Sequence, residues 1–597
     1  MSRSARRFAT ILTTSLLLTT MLAGTAGPAL GLVHGSTWYV AKDGVDYSGV
    51  EGCETPDVMT GDYASDDVAV QQIAIDGSFL SGHEILFCDG DYLFSSDVYI
   101  DEDLATIGSV DGASVTITGA GESRLFEVNG EVDVFDVTLA NGWAGGTNMG
   151  GAILADAINV TNVTFEDNFA SGGGGAIAAY GFGNISISGS EFNRNTANDM
   201  GGAVGTYGNV SILGSIFNDN VSHADTNCQG GGGAVAAGGS VDVVSSSFRH
   251  NRAEVDAADL DACYWHPIHL VQDPYDGALG GLGGAIATIG NVEVEGALFT
   301  DNFAEAGGGA IMAAGLDWDL EGSRSCAGNS VVTSSTFTKN STNPRLGRLP
   351  ITDAIGGGVL FGGGAVLSGV CQIVVEESTF SGNSSMAVGG AINGENVYVN
   401  ASTFTSNSVK GSLNDIPRDQ RFGGSIGGGA IAAIQTEIVY STFTRNSAPS
   451  GGAVLTVGGC LAAGWNTFTG NQATGRGAGF GGGAVHALQL YCSSFFFENV
   501  FTSNVAAGDG GALWGGIWAF GDELTPAQLK NVIEEPNGWA LGNTMSRNRA
   551  ANGGAIAVST RLPIRVRYST RALERANRMT GNSGGRNPIL AVVNWGP

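Results

Sequence analysis

Two short motifs alternate along this chain and leave few folds open. Gly-Gly-Ala begins at Gly150, Gly174, Gly201, Gly232, Gly283, Gly308, Gly363, Gly389, Gly428, Gly451, Gly482, Gly510 and Gly553. Phe-x-x-Asn begins at Phe165, Phe192, Phe217, Phe248, Phe299, Phe337, Phe380, Phe404, Phe443, Phe468 and Phe501, with degenerate copies at Met545 and Met579. Adjacent repeats lie as close as 23 or 24 residues, a period that marks a solenoid. Between the motifs the apolar residues alternate, as in Val210-Ser-Ile212, Val292-Glu-Val294 and Val397-Tyr-Val399. Period two means strand, whereas a helical solenoid needs longer runs of period 3.6.

The phase of that alternation is constant. Positions five and seven before each Phe are usually β-branched, as in Ile187 and Ile185 before Phe192. Small residues such as Ser188-Gly189-Ser190 separate them from the Phe. We therefore expect three strands per repeat: one after Gly-Gly-Ala, one carrying Val-x-Val and one carrying the Phe. That is one coil of an all-β, right-handed, single-stranded parallel β-helix, with coils stacked about 4.8 Å apart. No coil buries its inward Ile, Val and Phe alone, so stability is shared between neighbours. The Asn falls at a turn, where stacked amides can bond one another and the backbone as a ladder.

The motifs, for example Gly174-Gly175-Ala176-Ile177 with Phe192-Asn-Arg-Asn195, resemble the repeats of the chlamydial polymorphic outer membrane proteins. The resemblance covers about residues 150 to 582. It implies a β-helix displayed outside the cell and a role in adhesion. Those proteins end in an outer-membrane barrel, which is not expected here after the last repeat.

The remaining segments are assigned around this repeat. Arg3, Arg6 and Arg7 precede the apolar run Phe8 to Leu22, so residues 1–31 read as a secretory signal peptide. Residues 32–125 are expected to form an N-terminal cap and the first coils, with a helix-like stretch from Val68 to Ile75. A cap covers strand edges that an open coil end would expose. Residues 126–560 carry the β-helix, with insertions at about 252–280 and 514–544. Residues 561–597 hold seven Arg and one Glu and read as a C-terminal cap or basic tail. No later stretch is expected to span a membrane.

Lys and Arg total 27 against 57 Asp and Glu, a net charge of −30. This argues against a nucleic-acid partner, since phosphate binding needs a basic surface. The eight Cys suit an oxidising compartment. The economical pairing is sequential: Cys53–Cys88, Cys228–Cys263, Cys326–Cys371 and Cys460–Cys492. In the last two pairs, both Cys fall at similar distances before consecutive Phe residues. Coil spacing then suits the Cα separation of a disulfide, about 5.5 Å.

Catalytic residues do not stand out. A polysaccharide lyase needs clustered carboxylates and a basic proton acceptor, and a glycoside hydrolase needs paired carboxylates on one face. Asp66-Asp67 is the sole Asp-Asp pair and falls in the cap. We therefore expect a secreted or cell-surface protein with a structural, adhesion or glycan-binding role, and keep a polysaccharide lyase or hydrolase as the alternative. No cofactor is expected unless calcium binds Asp256, Asp259 and Asp261. The expected partner is an extracellular polysaccharide or a surface receptor.

Insertions on a rigid scaffold are candidate recognition loops. Tyr264, Trp265 and His266 in the first, and Trp514, Trp518 and Trp539 around the second, are candidates for stacking on sugar. The alternatives are an acidic loop stapled by Cys228–Cys263 and a short helix packed by its own aromatics. A further candidate lies beside the Phe: Thr336 and Thr338, Thr379 and Ser381, Thr403 and Thr405, Thr442 and Thr444, Thr467 and Thr469. Residues flanking an inward strand position point outward, so these should stack into two hydroxyl columns. Such an array suits a polysaccharide. It also resembles the binding face of several β-helical ice-binding proteins, although Thr is simply a good outward strand residue.

Overall fold

The computed structural model describes residues 37–77, 83–101, 103–146, 148–224, 230–255, 281–318, 324–326, 328–343, 362–369, 371–411, 426–476, 480–489, 494–517, 540–560, 574, 577–585 and 590–594. Within them the chain winds as a right-handed parallel β-helix with three long, all-parallel sheets. Coils pair in strict register, as in Phe380 to Phe404 to Phe443 to Phe468 along the second sheet. A helix, Asp66–Gly77, lies in the cap where a helical stretch was expected.

The composition of the coil differs from the expectation in one respect. The strand after Gly-Gly-Ala and the Val-x-Val strand belong to the same sheet, and they run on without a break in Ile392–Asn400 and Ile431–Val439. The third face is built by a two-residue strand just after the Asn, such as Thr196–Ala197 or Ser447–Ala448. It offers one inward residue per coil, most often Ala, too short a run to show any period. The coil also continues past residue 560. Arg578–Thr580 pairs with Thr544–Ser546, and Leu590–Asn594 pairs with Ile556–Thr560.

The motif residues explain the coil. Phe165 to Phe501 are fully buried, and consecutive rings stack with centroids 4.6 to 4.9 Å apart. Parallel in-register strands impose that spacing, so like residue lies on like residue. The Gly pair has two separate causes. Gly428 has φ +71°, and a Cβ on Gly429 would lie 2.1 Å from the Gly452 carbonyl and 2.5 Å from the Ser447 amide nitrogen. The first position needs left-handed backbone, and the second lets the first sheet approach the third.

The Asn form the expected ladder. The amide N–H of Asn407 donates to Asn446 Oδ1 at 2.9 Å, and its Nδ2 donates to the same oxygen at 3.0 Å. Nδ2 also donates to the Phe380 carbonyl at 2.9 Å, while Asn383 in the preceding coil gives Asn407 Oδ1 the same two bonds. The pattern runs from Asn168 to Asn582. The residue before each Asn is left-handed, as at Arg194, Lys339 and Arg445.

A second ladder occupies the turn before the Phe. Ser190, Ser215, Ser335, Ser378 and Ser402 each donate their amide N–H to the hydroxyl of the next Ser. From Asn466 to Asn577 this ladder switches to Asn and adds side-chain amide bonds.

The Cys53–Cys88 disulfide is present, with a Cα separation of 6.0 Å. Cys371 and Cys460 are each disulfide-bonded. Cys228, Cys263 and Cys492, and the side chain of Cys326, lie outside the described residues.

Two substitutions test the stacked core. Phe404→Ala should cost about 3–5 kcal/mol, as loss of a buried aromatic does. Asn407→Ala leaves the Asn383 backbone N–H and side-chain amide without their shared acceptor, and should cost about 2–4 kcal/mol despite its small volume change. Native-state hydrogen exchange should show both losses concentrated in the coils on either side. A loss below about 1 kcal/mol for Asn407→Ala would mean that the ladder contributes little.

Candidate functional site

Outward positions on the second sheet make the most regular surface. Thr336, Thr379, Thr403, Thr442 and Thr467 pair in register, as do Thr338, Ser381, Thr405, Thr444 and Thr469. All ten are half-buried. The first column is bounded by Leu298 and Val500, and the second continues into Thr300 on one side and Thr502 and Ser546 on the other. Inward Phe and the two turn ladders hold the strands, so the hydroxyls sit on rigid backbone.

The two edges of this face differ chemically. On the edge toward the first sheet, the left-handed turn position reads Ser334, Glu377, Ala401, Tyr440, Trp465 and Glu498. Tyr440 and Trp465 stack with centroids 5.1 Å apart and planes 6° apart. Phe497 meets Trp465 edge-on at 4.5 Å, and Trp465 Nε1 donates to Glu498 Oε2 at 2.7 Å. On the opposite edge the left-handed positions read Lys339, Gly382, Ser406, Arg445, Gly470 and Ser503. The sequence reading missed both edges. Tabulating the residue three places before each Phe exposes Tyr440 and Trp465, which stand among Asn, Gly, Ser, Ala and Glu.

A second cluster lies on the outer face of the first sheet. Asp242 pairs with Glu293, and Val244 with Glu295, in adjacent coils. Asp242 and Glu293 are the centres of Val-x-Val triplets, visible in sequence only as strand pattern. They reach solvent, yet the surrounding sheet removes part of their hydration. That desolvation raises the Asp242 carboxyl above its usual range. Desolvation first, then the Asp242 and Glu295 charges, raises Glu293. Neither joins an ion pair among the described residues, and no group of three or more His, Cys, Asp or Glu among them converges as a metal site would require. In the cap, burial alone would raise Asp67, but bonds from Ser96 and Ser95 outweigh it and hold the carboxyl low. Asp66 pairs with Lys42. Both members of the Asp-Asp pair tie the cap helix down.

The insertion candidates fare differently. Trp514 is buried, and its ring stacks on His486 at 4.0 Å within a cluster containing Leu488 and Ala557. This corrects the expectation of an exposed platform: the residue pairs in register with His486 and Ala557 and its ring is spent on packing. Tyr264, Trp265, His266, Asp256, Asp259, Asp261, Trp518 and Trp539 lie outside the described residues.

Residues 162–180 match the Chlamydia polymorphic membrane protein repeat. They span Phe165-x-x-Asn168 and Gly174-Gly175-Ala176, one full pass of both motifs. No curated protein sequence matches the chain. Among solved structures, a PL6 family alginate lyase, AlyGC, aligns over 94% of this chain and 100% of its own, at 7% identity and a TM-score of 0.21. At that similarity its activity carries no argument here. Among the described residues, no helix is long and apolar enough to cross a membrane.

Burial of His486 yields a pH prediction. Desolvation pushes its pKa down to about 3. A histidine depressed on folding contributes stability above its unfolded value of about 6.5, which is lost as pH falls toward the folded value. Between pH 6.5 and 5, before most carboxylates titrate, stability should fall by up to about 1.4 kcal/mol per pH unit. Urea denaturation across this window should show the slope, and His486→Phe should flatten it. An unchanged slope in the variant would assign it elsewhere.

Proposed function

We propose that this protein is a secreted or cell-surface glycan-binding protein that acts in adhesion without catalysis, and that the Thr-lined face of the second sheet is its binding surface. The observation carrying this reading is the two-column hydroxyl array over five successive coils, presented on rigid backbone. Hydroxyls both donate and accept, so one flat face can match the repeating hydroxyls of a polysaccharide at several points. The net charge of −30 keeps such a particle apart from its neighbours. A surface location agrees with the matched repeat and with the Cys53–Cys88 disulfide.

The purified chain is applied to a panel of immobilised polysaccharides. Binding is expected, and Thr403→Lys with Thr442→Lys should abolish it while leaving the melting curve in place. Binding that survives both substitutions would place the glycan elsewhere. The same preparation, tested for thermal hysteresis and ice-crystal shaping, would reassign the Thr face to ice if crystals are shaped and no glycan binds.

A second reading is favoured by one observation. Asp242 and Glu293 stand one coil apart with raised carboxyls, which suits a general acid beside a second carboxylate. Under that reading the chain hydrolyses glycosidic bonds, and Glu293→Gln eliminates product formation on the same panel. Absence of any release of reducing ends by the wild type rejects it.

A further inference from the structure

We infer that the Thr-lined face takes an acidic oligosaccharide, with one sugar ring stacked on Tyr440 and the acidic groups paired with Lys339 and Arg445. This rests on the glycan-binding reading and goes beyond it in naming the ligand class and the anchoring residues.

The first argument is backbone strain. Tyr440 has φ +52° and Trp465 has φ +57°. Left-handed backbone is unfavourable for bulky side chains, and other coils place Gly189, Gly214, Gly296 or Gly542 at this position. Two adjacent aromatics here go against local preference, a signature of positions kept for function. Nor do they repay the strain by burial: Tyr440 is 60% exposed and Trp465 44%.

The second argument is the shape of the exposed surface. One face of Trp465 is covered by Tyr440, and Phe497 packs against it edge-on. The bond from Trp465 Nε1 to Glu498 fixes its orientation. Tyr440 therefore presents its outer ring face along the helix axis. The residue beneath it in the preceding coil is the exposed Ala401, since Asn400 pairs with Val439 and Thr403 with Thr442. One coil further back stands Glu377. Ala401 leaves a notch one coil deep, with an aromatic wall on one side and a carboxylate on the other. A pyranose ring stacks on such a wall through its C–H face, and its hydroxyls can donate to Glu377.

The third argument is charge. The opposite edge of the same face holds Lys339 and Arg445, and neither makes an ion pair among the described residues. Each side chain lies over a glycine of the next coil: Lys339 Cγ is 3.6 Å from where a Cβ of Gly382 would stand, and Arg445 Cγ is 3.8 Å from that of Gly470. Two unpaired cations over cleared ground are notable in a chain of net charge −30. They are three coils apart, about 14 Å. The face between the two edges is one three-residue strand with its turns, on the order of 10–15 Å. An oligosaccharide of a few units spans it. Glu377 on the aromatic edge turns the acidic groups toward the cations.

The test uses the full chain and three probes: polygalacturonate for carboxylates, heparin for sulfates and laminarin as a neutral glucan. Affinity is measured by titration calorimetry at two salt concentrations. The expected result is preference for one or both acidic polymers. Tyr440→Gly should weaken binding by about tenfold and at the same time raise the melting temperature, because it removes the ring and the strain together. Lys339→Gln with Arg445→Gln should erase the preference over laminarin and flatten the salt dependence. Acidic glycan binding that both variants leave unchanged would overturn this site while the glycan-binding reading stands. Preference for laminarin by the wild type would overturn the acidic class. Binding to none of the three probes, together with failure across the wider panel, would overturn both.

Discussion

The coils from Asn168 to Asn582 depend on one repeated set of hydrogen bonds. The Asn after each Phe accepts from the coil before it and donates to the coil after it, inside a turn that neither water nor its own backbone satisfies. Asn407 makes this plain, because all its amide atoms are used by Asn383, Phe380 and Asn446. A buried polar group is costly unless all its bonds are made, so the ladder admits only one register and one turn length. The Phe stack and the Gly-Gly approach then follow, since both require like residue over like residue at the strand spacing.

The same constraint explains where the chain tolerates extra sequence. The distance from Phe to Asn never varies, nor does that from the Val-x-Val strand to the Phe, and the two ladders occupy those turns. The distance from Asn to the next Gly-Gly-Ala ranges from 5 residues, as from Asn446 to Gly451, to 32, as from Asn251 to Gly283. A turn bonded to both neighbours cannot lengthen without breaking two sets of contacts, whereas a corner without a ladder can. The face between the two ladders is thereby held to one length in every described coil that carries both. The Thr columns, the aromatic edge and the cationic edge all lie on it or on its borders.

Much of the fold was legible because the physics repeats. Thirteen copies of Gly-Gly-Ala, each doing one steric job, reveal a period that a single copy would hide. The Phe stack and the Asn ladder were readable for this reason. The third sheet was not, because Thr196–Ala197 and its equivalents contribute one inward residue each. The outward acids Asp242 and Glu293 were visible only as polar members of a strand pattern. Their proximity depends on which coil lies on which, which spacing across an insertion does not reveal. Trp514 shows the opposite failure: an aromatic near an insertion looks like a platform, but its register against His486 buries it. Tyr440 and Trp465 carried a signal that motif counting overlooked, namely an aromatic ring at a turn position where other motif coils place Asn, Gly, Ser, Ala or Glu.

The measurement that tests this account most directly is a pair of double-mutant cycles on the ladder. Asn407→Ala is combined with Asn446→Ala in the adjacent coil and, separately, with Asn548→Ala several coils away, and stability is followed by hydrogen exchange at the shared coils. The account predicts a coupling of about 1 kcal/mol or more for the adjacent pair and additivity within about 0.5 kcal/mol for the distant pair. Additivity in both cycles would contradict it, because the Asn would then act as independent turn residues rather than as the bonds that hold coil to coil.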